Sequence, residues 1–189
     1  MRVLALGVAA GLLATGYSSP RAGSGAERGS AGSEGAARGF AVPEALCGVA
    51  VPRDALSRLL PASGEELTVD DEGRLSDGSA LCKVNVDGHE MVLTLSSERI
   101  DAGDSARDIL RSRLRVTDPK TAENGRIANS RVGALSLLHC QDSNGTPEDI
   151  STLVEVQEPG RQDEGALREL VAGYAGELEE KGECVARVG

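Results

Sequence analysis

The chain has 189 residues, a formal net charge of −10 and 2% aromatic residues, with no Trp, one Phe and two Tyr. That length allows one domain of ordinary size with a real apolar core, built here from Leu, Val, Ile and Ala. The acidic balance repels phosphate backbones and anionic headgroups, and the lack of aromatic platforms removes the usual sugar-binding faces and single-stranded nucleic-acid grooves, so no nucleic-acid partner is expected.

Met1 and Arg2 followed by the apolar run Val3 to Gly16 read as a secretory signal, too short to span a bilayer. Leu13-Ala14-Thr15-Gly16 has the form of a bacterial lipoprotein signal, but Tyr17 stands where the lipidated Cys belongs. Without that thiol no lipid can be attached, so any membrane association runs through the N-terminal segment alone. Ala14 and Gly16 are small enough for cleavage before Tyr17; an uncleaved anchor is the alternative. Residues 17–39 are rich in Gly, Ser and Ala and read as a flexible tether, leaving 40–189 as a single domain.

The domain opens near Phe40. Pro52 to Pro61 reads as a short helix, with Pro52 at its first position and Leu56, Leu59 and Leu60 on one face. Glu66 to Asp70 reads as a brief strand and Asp70 to Ser79 as an acidic loop. That loop carries part of a calcium-loop pattern, but Ser79 stands where the bidentate Glu belongs, so no metal is expected.

Ala80 to Ser96 reads as a β-hairpin turning at Asp87-Gly88, a dipeptide suited to a type I′ turn. That register sets Val86 opposite His89, Val84 opposite Met91, Cys82 opposite Leu93 and Ala80 opposite Leu95, giving one apolar face. A helix capped by Asp104 or Ser105 runs to Arg115. Strands follow over Ile127 to Ser130, Val132 to Cys140 and Ser151 to Gln157, the second of them apolar on both faces and so central. Asp163 to Lys181 is the longest helix, with Leu167, Leu170, Val171, Tyr174 and Leu178 on one stripe. The expected fold is α+β: an antiparallel sheet of about six strands in two βββα-like units, with the helices on one face.

Four widely spaced cysteines without a C-x-x-C pair read as two disulfides. The strand ending at Cys140, the strand returning from it and the final helix alternate in direction. A helix of about 18 residues and a strand of nine both cover roughly 27–30 Å, so Cys184 arrives near Cys140. Cys47 then pairs with Cys82, one of three connectivities the count allows.

Leu46-Cys47-Gly48-Val49, Leu59-Leu60-Pro61, the run from Leu81 to Gly88, Leu138-His139-Cys140 and Glu183-Cys184 resemble small cysteine-paired extracellular lipoproteins of high-GC Gram-positive bacteria, a group built on a domain of unknown function. The likeness implies a cell-envelope location and no catalytic residue. Tyr17 departs from that group's pattern.

His139 and Cys140 are adjacent on a strand and point to opposite faces, so they cannot form a nucleophile and base, and His89 reads as an exposed residue at the hairpin tip. No nucleophile elbow, phosphate loop or zinc-helix motif occurs, and no catalytic, metal or cofactor residue is expected. Three readings follow in order: a secreted, monomeric, non-enzymatic module that binds an envelope partner through its sheet or acidic loops; a carrier of an apolar or lipid-like ligand, with Val84, Met91 and Leu93 as the ligand face; and a hydrolase using His89 or His139.

Overall fold

The computed structural model describes residues 38–142 and 144–186. The signal expected over 1–16, Tyr17 and most of the tether lie outside the described residues. In chain order the elements are β1 (Ala45–Leu46), β2 (Val49–Ala50), α1 (Arg53–Leu59), β3 (Leu67–Arg74), β4 (Ser79–Val86), β5 (His89–Asp101), α2 (Ala106–Leu114), β6 (Lys120–Ala122), β7 (Ile127–Asn129), β8 (Gly133–Gln141), β9 (Pro147–Val156), α3 (Glu164–Glu180) and β10 (Val185–Ala186).

β1 and β2 pair only with each other. The main sheet runs β3-β4-β5-β9-β8-β7-β6, antiparallel throughout, and β10 joins β8 at Cys140 and Gln141, beyond the reach of β7. Two meanders meet at its centre, where β5 pairs with β9 from Leu93 opposite Val156 to Asp101 opposite Glu148. The α+β class, the antiparallel sheet and both disulfides, Cys47–Cys82 and Cys140–Cys184, are therefore as the sequence leads one to expect.

Helix placement differs in part. Along β8, Ala134, Leu138 and Cys140 enter the core beneath α1 and α3, whereas Leu135 and Leu137 enter a second cluster with Ala106 and Leu110 of α2. Two helices cover one face and α2 covers part of the other, so the apolarity of both faces of β8 reports two packed layers. Gly133 provides the seat for α2. A Cβ there would lie 2.4 Å from Leu114 Cδ1 and 2.7 Å from the Val154 carbonyl oxygen, a close approach that only glycine permits.

The hairpin turns at Asp87-Gly88 with Val86 opposite His89, as expected, but its register then shifts. Val84 pairs with Leu93 and Cys82 with Leu95, not with Met91 and Leu93. The cause is a bulge in β5, where Met91 adopts φ 57° and donates its N–H to Asn85 Oδ1 at 2.8 Å. Two extra residues preserve the alternation, so Val84, Cys82, Leu93 and Leu95 all stay in the core.

The domain begins earlier than Phe40. Arg38 donates to the carbonyls of Ser57, Leu60 and Pro61 at 2.6–3.0 Å, and Arg161 donates to those of Ser57 and Leu60 at 2.5 and 2.8 Å. These are the orphan carbonyls at and beyond the end of α1, where cations are favoured. Burial, and then the neighbouring Arg161, lowers the Arg38 pKa from its ordinary value. At the other end of α1, Pro52 is the N-cap with extended backbone and lies one position before the first helical residue.

Candidate functional site

Where β5 ends and α2 begins, the molecule has an open groove of about 760 Å3. Gly103, at φ 135°, makes the turn between the two elements, and the Ser105 side chain caps α2 by accepting the Asp108 N–H at 3.1 Å. Ile100 of β5 and Ile109 of α2 give the groove an apolar lining, and charged side chains surround it. Most of those charges are matched. Arg113 pairs with Glu98; Arg99 pairs with Glu148 and donates to the Glu183 carbonyl at 2.9 Å; Asp108 accepts from Ser105 Oγ at 2.6 Å and from Arg111 at 3.2 Å. Asp101 and Asp104 are exposed and have no ion pair among the described residues. The groove therefore offers an apolar strip flanked by two available carboxylates.

His139 and Cys140 do point to opposite faces. Cys140 is buried in its disulfide, while His139 lies on the α2 face with Nδ1 2.9 Å from Asp149 Oδ1. Asp149 is 1% exposed. Among the described residues no hydroxyl or thiol hydrogen-bonds the other ring nitrogen, so the pair lacks the nucleophile that a triad needs. His89 is exposed at the hairpin tip, within the field of Asp87.

Val84 and Leu93 are fully buried within the main core, whereas Met91 is 38% exposed at the bulge, so the three do not form one ligand-facing surface. A different cavity, of about 280 Å3, lies further along the same hairpin. The Cys47–Cys82 disulfide, Ala80 and Leu81 line it on one side, and Tyr174, Leu178 and Lys181 line it from α3 and its C-cap. Tyr174 is 4% exposed, and among the described residues no buried side-chain nitrogen or oxygen is left without a hydrogen-bond partner. Burial, then the Asp71 carboxylate, pushes its pKa up to about 12. The sequence marks Tyr174 only as one position on an apolar stripe.

No protein-family model, curated protein or solved structure matches this chain. Among the described residues no group of three or more His, Cys, Asp or Glu side chains is placed to hold a metal ion, and no helix is long and apolar enough to cross a membrane. Two disulfides fit an oxidising compartment.

Proposed function

We propose that this is an exported, disulfide-stapled module of the cell envelope that acts by binding a protein partner and not by catalysis, and that the groove beside α2 receives a basic segment of that partner. One observation carries this reading: Asp101 and Asp104 flank an apolar strip at Ile100 and Ile109, on a scaffold whose opposite face is fastened by two disulfides. A lysine-bearing segment with one apolar side chain matches that pattern, and the net charge of −10 steers it inward. The lipoprotein-like signal and the cysteine framework support export.

The test places a photo-crosslinking residue at Ser112, inside the groove, and another at Thr94, on the open part of the same face, in the protein secreted by its native host. The expected result is one adduct with an envelope protein at Ser112 only, lost at high salt and lost in Asp101→Asn/Asp104→Asn. Equal adducts at both positions, or an adduct unaffected by the double substitution, would sink the proposal.

A further inference from the structure

We infer that the Cys47–Cys82 disulfide is a thiol-exchange site, opened at Cys47 by an external dithiol while Cys140–Cys184 stays closed. Access sets the two bridges apart. Cys140 and Cys184 are 0% and 7% exposed, and both belong to the main core beside the pairing of β10 with β8. Cys82 is buried in the same core at 2%. Cys47 is only partly buried, packs against that core from outside, and sits with the exposed Gly48 in the turn between β1 and β2. An attacking sulfur must reach one sulfur of a bridge, and of the four cysteines Cys47 is the one it meets without breaching the core.

The surroundings favour reaction on that side. Cys47 and Cys82 line the open recess of about 280 Å3 between α3 and the β3–β4 hairpin. Its charges are mixed, Arg74 and Lys181 with Asp71 and Glu183, but Lys181 is the one tied to the turn. It donates to the carbonyl of Gly48 and so holds an ammonium one residue from Cys47, where a cation draws in a thiolate and lowers the pKa of the thiol left behind. The exchange runs in two displacements. A thiolate of the dithiol attacks Cys47 Sγ, forming a mixed disulfide and expelling Cys82 as a thiolate, which takes up a proton. The second thiolate of the dithiol then attacks its own first sulfur, closing the reductant's disulfide and releasing Cys47, which is protonated in turn. Two electrons and two protons pass from the dithiol to the bridge. The rest of the hairpin keeps its hold: Leu46 and Val49 anchor it at 0% and 7% exposure, and Cys47 Sγ lies 3.4 Å from the Asp70 carbonyl oxygen, an acceptor for the new S–H.

The bridge is on the face covered by α1 and α3 and the groove beside α2 is on the other, so this inference stands apart from partner binding. The test treats the folded, oxidised protein with dithiothreitol, quenches with iodoacetamide at intervals and maps the alkylated cysteines by mass spectrometry. Cys47 and Cys82 should be alkylated about tenfold or more faster than Cys140 and Cys184, because the core bridge waits for local unfolding. Reduced glutathione, a monothiol, quenched early in the same way, should be caught as a mixed disulfide on Cys47 with Cys82 alkylated. Protein reduced at the first bridge alone should keep slow amide hydrogen exchange in α3. Equal rates at the two bridges, earlier opening of Cys140–Cys184, glutathione on Cys82, or loss of protection in α3 on opening the first bridge overturns the inference.

Discussion

The two faces of the main sheet share the same strands and yet are built to different ends. Beneath α1 and α3 lies a continuous apolar cluster from Leu46 to Cys184, and both disulfides are anchored in it through Cys82 and Cys140. Among the described residues the other face carries one helix, α2, of nine residues, over Ala128, Leu135 and Leu137. Beyond α2 that face is a polar ladder, in which Lys83 pairs with Glu72 at 2.7 Å and Asn85 donates to Asp70 at 2.8 Å. The bond to Glu72 raises the Lys83 pKa. One face thus supplies stability, and the half-covered one leaves room for a groove.

If that division is right, the staples matter most. They join residues 35 and 44 positions apart. On the loop-entropy account each contributes about 4 kcal/mol. Cys140→Ala/Cys184→Ala and Cys47→Ala/Cys82→Ala should each lower the urea midpoint accordingly, and losing both pairs should leave little stability at 37 °C. A loss below about 1 kcal/mol for either pair would show that the sealed face holds without its staple.

Leucine truncation on each face sharpens the contrast. Leu167→Ala, beneath the long helix, should fall in the upper part of the usual range of about 2–5 kcal/mol, and Leu110→Ala nearer its lower end, because a nine-residue helix can settle into the space left behind. Native-state hydrogen exchange should also find α2 opening at lower free energy than α3. Equal exchange in the two helices would erase the distinction. Glu72→Gln, on the polar ladder, should change stability by less than about 0.5 kcal/mol, since exposed ion pairs contribute little.

Much of this division is written in local chemistry. Asp87-Gly88 marks the turn, and alternation places Val84, Cys82, Leu93 and Leu95 inside even though the pairing is offset. The offset itself is hidden, because Met91 carries no residue preference for φ 57°; Asn85, which accepts its N–H, is the nearest thing to a signal. β3 runs on through Asp71, Glu72 and Gly73, which read as a loop because an edge strand protected by charge looks like one. The position of α2 was encoded in the two-sided apolarity of β8 and in Gly133, both of which also fit a strand that is merely central. Arg38 was invisible for another reason. Inside a run of Gly, Ser and Ala, nothing distinguishes an arginine that caps α1 from one that is only solvated. The groove follows from where α2 rests, and so it could not be read before that position was known.

The smallest expected effect lies at the hairpin tip and appears only in acid. Asp87 Oδ1 accepts the N–H groups of Glu66 and Glu65 at 2.9 and 2.8 Å, and these bonds lower its pKa. Asp142 is lowered in the same way by the N–H groups of Thr146 and Asn144. A carboxylate whose folded pKa is depressed adds stability above its unfolded value of about 3.9, and that stability is lost as pH falls through the folded value. Asp87→Asn keeps an acceptor oxygen but removes the titrating charge. The parent should therefore melt higher than the variant at pH 7, and the two melting curves should converge as the pH drops below the ordinary carboxylate range. A constant gap down to pH 2 would mean that Asp87 acts through turn preference alone. Convergence would locate part of the acid sensitivity at the joint where residues 65 and 66 lead into edge strand β3, well away from either disulfide.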